Sequence, residues 1–478
     1  MVRMTRIIVS ALLCAVLSCA FGERAAAAGV SLVTDEDERF VSIPAAYEVK
    51  TTYKNLGDYG FLNHAEDLFI DSADNLYVAD TGNNRILKFS PDGKVAAEYK
   101  EGFGVPLKNP KGIYVHEDGT LWIADTGNYR VVRIAQDGSD VEVYYKPESE
   151  LLEESFTFAP EKIYVSGTGY IYVLKGTSLM KMDARNTFRG YVGAATVPFS
   201  LARFLIKMFG SQSQAERTMK QEPSAYSNFM IASDGMIYGL LANEISGQIR
   251  RLNSVGTNTY PEEKYGFDIT LDDDSYIQAS FADITVMDSG IITLCDRNTG
   301  LLYQYTQDGE LLAAFGGTGN KNGIYQNIVS ITHDSGGILY VLDYTAGNIT
   351  LLQPTRFIRL VHEAVSYYNA GDYKAAERYW KEVLEADSNY AMAHSGYAKV
   401  LFKEEKYKEA MEQYRLGSDK EGYSDAFAEY RHNIFRSYFG WICLAAVLLL
   451  GGAWTGFKRV KKYADNMAER IEYGGSIG

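Results

Sequence analysis

The chain has 478 residues and a formal net charge of −14 at pH 7. That length exceeds what one small core can hold, so we expect two or three folded units. The acidic balance excludes nucleic acid as a partner and disfavours anionic lipid surfaces. With 36 tyrosines, 44 glycines and only 10 prolines, the composition favours short strands joined by tight turns over disordered linkers.

The first 28 residues have the pattern of an export signal. Arg3 and Arg6 give a basic start, residues 7–20 are an apolar run, and four alanines at 25–28 offer a cleavage site. A lipoprotein signal is the alternative, because a small residue precedes Cys19. We expect simple cleavage, since the alanine run suits a signal peptidase and a second apolar segment near the C-terminus supplies an anchor.

Cysteine usage excludes an intrachain disulfide in the exported part. Cys14 and Cys19 lie in the signal and Cys443 lies in the C-terminal apolar segment, which leaves Cys295 alone. The folded units must therefore rely on their hydrophobic cores.

An internal repeat organises the first two thirds of the chain. The segment DLFIDSADNLYVADTGNNRILKFSPDGKVAAEY, from Asp67, recurs as GIYVHEDGTLWIADTGNYRVVRIAQDGSDVEVY, from Gly112. Each copy has four apolar runs separated by turn residues, which is the pattern of a four-stranded propeller blade.

Four weaker copies complete the set. They start near Ile163, Phe229, Ile284 and Ile331. The last copy lacks a fourth strand, and residues 47–53 resemble one. Closing the ring with strands from both ends removes open sheet edges, so we predict a six-bladed β-propeller over residues 40–354.

The turn sequences VADTGNNRI (78–86) and IADTGNYRV (123–131) resemble the motif of the NHL-repeat family. The resemblance covers about two thirds of the chain and implies a fold rather than a function. In this motif we expect the aspartates to cap the turn and the arginines to pair with neighbouring acids or carbonyls.

Related six-bladed propellers include lyases and sugar lactonases, which place polar groups at the start of each inner strand. The matching candidates for lining the channel are Asp67, Lys162, Asn228 and Asp283. Two acids and an amide could hold a hard cation, but Lys162 would pair with one of the acids. Six histidines with no paired spacing argue against a histidine-based zinc site, and we expect no metal and no cofactor.

Residues 193–224 interrupt the repeat between the third and fourth blades. Five apolar residues there recur at helical spacing: Leu201, Phe204, Leu205, Met208 and Phe209. They are candidates for binding a partner or the membrane surface; the alternative is that they cover the protein's own surface. Residues 272–274, three aspartates, are expected to form a solvated loop rather than a calcium site.

After Pro354 the apolar period changes from that of strands to that of helices. Tyr373 and Tyr407 are 34 residues apart, as are Ala376 and Ala410. This spacing resembles two tetratricopeptide repeats over residues 357–436, with a capping helix at their end. Such a pair could bind a peptide or serve as a stiff stalk.

Residues 438–457 carry no charge, and 20 such residues suffice to cross a bilayer as a helix. Trp441 and Trp454 lie near the ends of this segment, and four basic residues follow within residues 458–462. The positive-inside rule places the tail, residues 458–478, in the cytoplasm. The signal and the tail each carry a net charge of +2, so the exported part is near −18.

The sequence therefore predicts a mainly β protein with a small all-α repeat region and one transmembrane helix. We expect a binding or scaffold protein on the outer face of the cell membrane, with a protein partner from a membrane complex and room for a small-molecule ligand. The alternative is a propeller hydrolase or lyase that acts on a sugar lactone.

Overall fold

The computed structural model describes residues 31–474, apart from residues 35–38, 103, 150–151, 153–154, 194–224, 243, 271–275, 320 and 322. The chain divides into two compact units, Met1–Met392 and Ala393–Gly478. The first contains the strands and the first helical hairpin, and the second contains the remaining helices.

Three strands precede the first repeat: β1 (Ser31–Thr34), β2 (Phe40–Ile43) and β3 (Tyr47–Tyr53). Blade 1 consists of β4 (Asp67–Ile70), β5 (Leu76–Asp80), β6 (Arg85–Phe89) and β7 (Val95–Tyr99), and the pair β8 (Glu101–Gly102) and β9 (Val105–Pro106) follows. Blade 2 consists of β10 (Gly112–Val115), β11 (Leu121–Asp125), β12 (Arg130–Ile134) and β13 (Val141–Tyr144). Blade 3 consists of β14 (Lys162–Val165), β15 (Ile171–Lys175), β16 (Ser178–Met182) and β17 (Phe188–Tyr191).

Blade 4 has three strands, β18 (Tyr226–Ile231), β19 (Ile237–Leu241) and β20 (Ile249–Leu252), and the pair β21 (Ile269–Thr270) and β22 (Tyr276–Ile277) follows. Blade 5 consists of β23 (Phe281–Val286), β24 (Ile292–Asp296), β25 (Leu301–Tyr305) and β26 (Leu311–Gly316). Blade 6 consists of β27 (Ile328–His333), β28 (Leu339–Asp343), β29 (Asn348–Pro354) and β3. The predicted six-bladed propeller is confirmed.

Strand β3 closes the ring as the repeat pattern predicts. It pairs antiparallel with β29, with Tyr53 opposite Ile349 and Tyr47 opposite Pro354. Blade 6 therefore takes strands from both ends of the propeller sequence, and the pairing ties residues that are about 300 apart.

Blades 4 and 5 depart from the four-stranded pattern. Instead of a fourth strand, blade 4 has an irregular segment along β20, where the Thr259 amide donates to the Arg251 carbonyl (2.8 Å). Blade 5 gains two strands, because β1 pairs with β26 through Leu32 opposite Ala314, and β2 pairs with β1. The sequence analysis began the propeller at residue 40 and missed β1, since the short SLVT run repeats no blade motif.

The repeated TGN turns of blades 1 and 2 help to hold each blade together. In blade 2 the Asp125 carboxylate accepts from the Lys108 amide (2.8 Å), while its other oxygen accepts from Arg130 Nε (2.7 Å). Arg130 also donates to the Val105 carbonyl (3.0 Å) and is almost fully buried. Blade 1 repeats the arrangement with Asp80 and Arg85. The aspartate therefore holds together the turn and the loop that enters its own blade.

Five helices follow the propeller: α1 (Arg356–Asn369), α2 (Tyr373–Ala386), α3 (Ala391–Lys403), α4 (Tyr407–Leu416) and α5 (Lys420–Gly474). The Thr355 side chain caps α1 by accepting from the Ile358 amide, and Asp372 caps α2 by accepting from the Ala375 amide. Helices α2 and α4 begin 34 residues apart, at Tyr373 and Tyr407.

Helix α1 is attached to the propeller through a buried hydrogen-bond chain. Gln304 of β25 donates to the Tyr47 hydroxyl (3.0 Å), and its side-chain oxygen lies 2.9 Å from His362 Nε2 of α1. Nearby, the Tyr390 hydroxyl donates to the Leu312 carbonyl (2.8 Å). Tyr47 and Gln304 have no exposed surface, so removing either side chain leaves the other with one hydrogen bond fewer in a dry environment.

The buried position of His362 predicts a pH-dependent stability. Burial, with a smaller contribution from His333, lowers the pKa of this imidazole to about 3. Between about pH 6.5 and pH 3, His362 is therefore protonated in the unfolded state but neutral in the folded state. Stability should fall as the pH drops from 6.5 towards 3, by up to about 1.4 kcal/mol per pH unit from this group.

Urea unfolding of the wild type and His362→Gln between pH 4 and pH 8 tests this expectation. The difference between the two proteins isolates His362 from the other titrating groups. We expect the variant to lose less stability on acidification, and parallel pH profiles would contradict the assignment.

The second unit joins a helical hairpin to one long helix. Helix α5 packs on α3 and α4 through Ala426, in a cluster with Leu401, Ala410 and Tyr414. Gly422 allows the approach, since a Cβ there would lie 2.3 Å from the Tyr414 ring. Beyond this cluster, residues 431–468 of α5 are exposed. By length and composition the segment Lys420–Ala468 qualifies to cross a membrane, with a mean hydropathy of 1.8 in its most apolar window.

Candidate ligand site at the mouth of the propeller channel

The inner strand of each blade starts at the same level of the central channel. The six residues at this level are Asp67, Gly112, Lys162, Asn228, Asp283 and Ser330. The structure thus brings together the four predicted channel residues and adds Ser330, which the sequence analysis missed. We call this set the inner ring.

Lys162 lies between the two acids of the inner ring. Its ammonium donates to Asp67 Oδ1 (2.5 Å) and lies 3.6 Å from Asp283 Oδ1. The Ser330 hydroxyl donates to Asp283 Oδ2 (2.6 Å). The side chains of Asp67, Lys162 and Asp283 are at least nine-tenths buried, so these are desolvated contacts rather than surface ion pairs.

The remaining hydrogen-bonding capacity of the ring is used as well. Asn228 Nδ2 donates to Asp283 Oδ1 (2.8 Å). Backbone amides of neighbouring inner strands complete the set, with Ile113 donating to Asp67 Oδ2 (2.8 Å) and Ile331 donating to Asp283 Oδ2 (3.0 Å). The inner ring therefore links five blades by their side chains and the sixth by its backbone.

The absence of a side chain at Gly112 has a steric cause. A Cβ at this position would lie 2.5 Å from the Glu161 carbonyl oxygen and 2.8 Å from the Lys162 Cα. Blades 2 and 3 can approach this closely only with glycine here.

Protonation in the ring reflects burial and mutual charge. Burial raises the pKa of the Asp67 carboxyl to about 6, with Lys162 opposing the rise and Asp283 adding to it. Burial alone would lower the pKa of the Lys162 ammonium, but the carboxylates of Asp283 and Asp67 outweigh it and raise that pKa. Lys162 thus stays charged.

Aromatic rings from blades 1 to 3 lie at the next level of the channel. Phe69, Tyr114 and Tyr164 each lie two residues beyond an inner-ring residue, so they face the same side of their strands. Their ring centroids are 5.3 Å apart for Phe69 and Tyr114 and 4.9 Å apart for Tyr114 and Tyr164. The sequence predicted a polar, water-filled channel with satisfied charges; the charges are satisfied, but aromatic packing replaces the polar lining at this level.

Above the inner ring the channel widens into a cavity of about 450 Å³. Besides Asp67, Lys162 and Asn228, its polar walls are formed by Glu66, Lys111, Glu161, Ser227, Arg297, Asn327 and Tyr344. Three residues of the inner ring, Asp67, Lys162 and Asn228, thus border the cavity. Its size is that of a small-molecule site.

The other predicted site residues cannot be placed. Leu201, Phe204, Leu205, Met208 and Phe209 lie outside the described residues, as do the three aspartates at 272–274. Within the part of the chain that the structure describes, no group of three or more histidine, cysteine, aspartate or glutamate residues could hold a metal ion.

Comparisons with known proteins agree with the repeat and the fold. Residues 62–89 and 107–134 match the family model of the NHL repeat. The curated proteins give no match in sequence.

The solved structures that resemble the chain have diverse descriptions. A streptogramin B lyase is 16% identical, with a TM-score of 0.39, and the match covers 69% of this chain and 87% of the lyase. A structural-genomics protein assigned as a gluconolactonase is 14% identical, with a TM-score of 0.42 and coverages of 66% and 94%. The WD40 propeller domain of Doa1 is 9% identical, with a TM-score of 0.41 and coverages of 65% and 97%. These likenesses carry no information on activity; the chain is a six-bladed propeller with NHL repeats.

Proposed function

We propose that this chain is an exported binding protein that is anchored in the cell membrane. Its propeller and helical hairpins lie on the outer side and bind a protein of a membrane complex. Helix α5 crosses the bilayer at residues 438–457, and the tail at 458–478 lies in the cytoplasm.

The continuity of α5 carries the proposal. One helix of 55 residues packs on the α3–α4 hairpin at its start and is exposed along its apolar middle. In water, exposed side chains such as Trp441 and Leu449 would form an apolar surface far larger than soluble proteins tolerate. A bilayer covers that surface, and the basic residues after it fix the tail inside.

The helical hairpins support a binding role. The 34-residue offset between α2 and α4, with Ala376 and Ala410 fully buried at equivalent places, is that of tetratricopeptide repeats, which present helical surfaces to other proteins.

Catalysis by a metal in the channel is the alternative, and the inner ring disfavours it. The Lys162 ammonium occupies the place between Asp67 and Asp283 where a cation would have to bind. A hard cation needs six or more oxygen ligands, and the oxygens of these carboxylates already accept hydrogen bonds from the protein. This arrangement supports binding rather than metal-dependent hydrolysis.

Crosslinking in native membranes tests the proposal. We expect a membrane protein to be crosslinked to the same few lysines of the propeller or hairpins in every replicate. An excess of soluble ectodomain, residues 29–436, should compete with the crosslink. Crosslinks that scatter over the surface and resist this competition would contradict a specific partner. Lactone hydrolysis that is lost with a bound metal would favour the enzyme instead.

A further inference from the structure

Four charged side chains surround the mouth of the pocket, and their charges are distributed unevenly around it. Glu66, Lys111 and Glu161 come from blades 1, 2 and 3, each one residue before the inner ring. Lys111 Nζ lies 3.1 Å from Glu66 Oε2 and 3.6 Å from Glu161 Oε1. The Lys111 ammonium thus pairs with both carboxylates, and this side of the mouth has a net charge of −1.

Arg297 of blade 5 supplies a positive charge from the other side. In a six-bladed ring, blade 5 lies opposite blade 2, so Arg297 faces Lys111 and its two glutamates across the mouth. Its guanidinium makes no hydrogen bond and no ion pair with any residue that the structure describes, although its backbone amide is held by the Ser280 carbonyl (3.1 Å). The backbone of Arg297 is therefore held in place, while its guanidinium can pair with a ligand.

In the sequence, Arg297 follows the turn aspartate of its blade, where blades 1 and 2 have Thr81 and Thr126. The hydroxyls of these threonines donate to the carbonyls of Pro110 (2.8 Å) and Pro160 (2.6 Å) in the next blade. Blade 5 has a cation at this place in the sequence instead of a hydroxyl.

The charged residues of the inner ring do not neutralise the charges at the mouth of the pocket. Lys162, Asp67 and Asp283 are occupied with one another in the inner ring. A ligand therefore meets a negative wall on one side and a positive charge on the other, within a volume of about 450 Å³.

We propose that this pocket binds a small zwitterion of about dipeptide size. Its ammonium lies against Glu66 and Glu161, and its carboxylate pairs with Arg297. Asn327, Ser227 and Tyr344 offer neutral hydrogen bonds between the two ends. This inference names a ligand for the proposed binding protein, and so it rests on the proposed function.

The charges of the mouth select against other small molecules. A neutral sugar leaves Arg297 without a counter-charge, and a dianion is repelled by the two glutamates. A single amino acid carries its ammonium and carboxylate on one carbon, whereas a dipeptide separates them by a peptide unit and suits charges on opposite walls. Charge-assisted hydrogen bonds at both ends would supply most of the affinity.

Calorimetric titration of the detergent-solubilised full chain tests the proposal. The probes are unprotected dipeptides with small, apolar, acidic and basic side chains, followed by the N-acetylated and the C-amidated forms of the best binder. For the wild type we expect each capped form to bind at least tenfold more weakly than the free dipeptide, since each cap removes one charged contact.

Two variants should separate the two ends. In Arg297→Gln the free and amidated dipeptides should bind equally, while acetylation still weakens binding. In the double variant Glu66→Gln/Glu161→Gln, Lys111 gives this wall a net charge of +1, so the acetylated form should bind at least as well as the free one. Arg185→Gln removes an exposed arginine on blade 3, outside the pocket, and should behave as the wild type.

The inference is overturned if no dipeptide binds, if the capped forms bind as well as the free one, or if Arg297→Gln keeps the preference for a free carboxylate. Failure here with a specific, competed crosslink would leave the proposed function standing. Dipeptide binding with no crosslinked partner would instead refute the proposed membrane complex and leave the dipeptide site standing.

Discussion

Replacing Lys162 with methionine is expected to destabilise the propeller by about 3–5 kcal/mol. The substitution keeps the apolar stem and removes the ammonium that lies between Asp67 and Asp283. Two carboxylates would then be buried in one site with no counter-charge, and at least one would have to take up a proton or draw in water. The shift of the urea midpoint at pH 7, followed by near-ultraviolet circular dichroism, measures this effect.

A second substitution distinguishes lost charge balance from lost packing. In Lys162→Met/Asp67→Asn one buried negative charge is removed as well, so the double variant should recover part of the stability that the single variant loses. Lys175→Met, on the next strand of the same blade, removes a partly exposed ammonium and should cost less than about 1 kcal/mol. A Lys162→Met variant as stable as Lys175→Met would show that the inner ring does not stabilise the fold.

Tyr47→Ala is expected to cost about 3–5 kcal/mol, as truncations of large buried side chains do. Tyr47 has no exposed surface and stacks on Phe315 with ring centroids 4.8 Å apart. It lies on β3, which closes the ring, and its hydroxyl accepts from Gln304, which also contacts His362 of α1. The substitution should therefore weaken both the closure of the propeller ring by β3 and the packing of α1 on the propeller.

Hydrogen exchange followed by mass spectrometry locates the effect of Tyr47→Ala. We expect faster exchange in β29 and α1, with blades 2 and 3 changed least. Tyr47→Phe keeps the stacked ring and should cost only about 1 kcal/mol for the hydrogen bond. Tyr129→Ala, at a side chain that is 54% exposed, should change little. Uniform exchange across the propeller after Tyr47→Ala would contradict a local role in closure.

The blades and the inner ring were predictable from the sequence for one physical reason. Repeated turn residues fix the register of each hairpin, and register decides which residue begins the inner strand. Asp67, Lys162, Asn228 and Asp283 could therefore be grouped before their contacts were known. Ser330 was missed although it directly precedes the last repeat, as Asp283 precedes the fifth, and the two occupy equivalent positions in the strand pairing.

The pocket residues were harder to predict because they belong to turns and loops. Arg297 replaces a threonine of the motif, and in the sequence it looked like decay of the repeat rather than a change of use. The three-stranded blade 4 and the strands added to blade 5 depend on contacts between distant segments, such as Leu32 with Ala314. Such contacts leave no local periodicity.

Labelling of single cysteines with a membrane-impermeant maleimide tests the central claim most directly. The background is low, because Cys14 and Cys19 lie in the predicted signal, Cys295 is fully buried, and Cys443 lies in the apolar segment of α5. Two exposed positions serve as probes, Ser139→Cys in blade 2 and Ala464→Cys after the apolar segment.

In intact cells we predict labelling of Ser139→Cys at once and of Ala464→Cys only after lysis. Labelling of both variants before lysis, or of neither, would show that α5 does not carry the propeller on the outer face of a membrane.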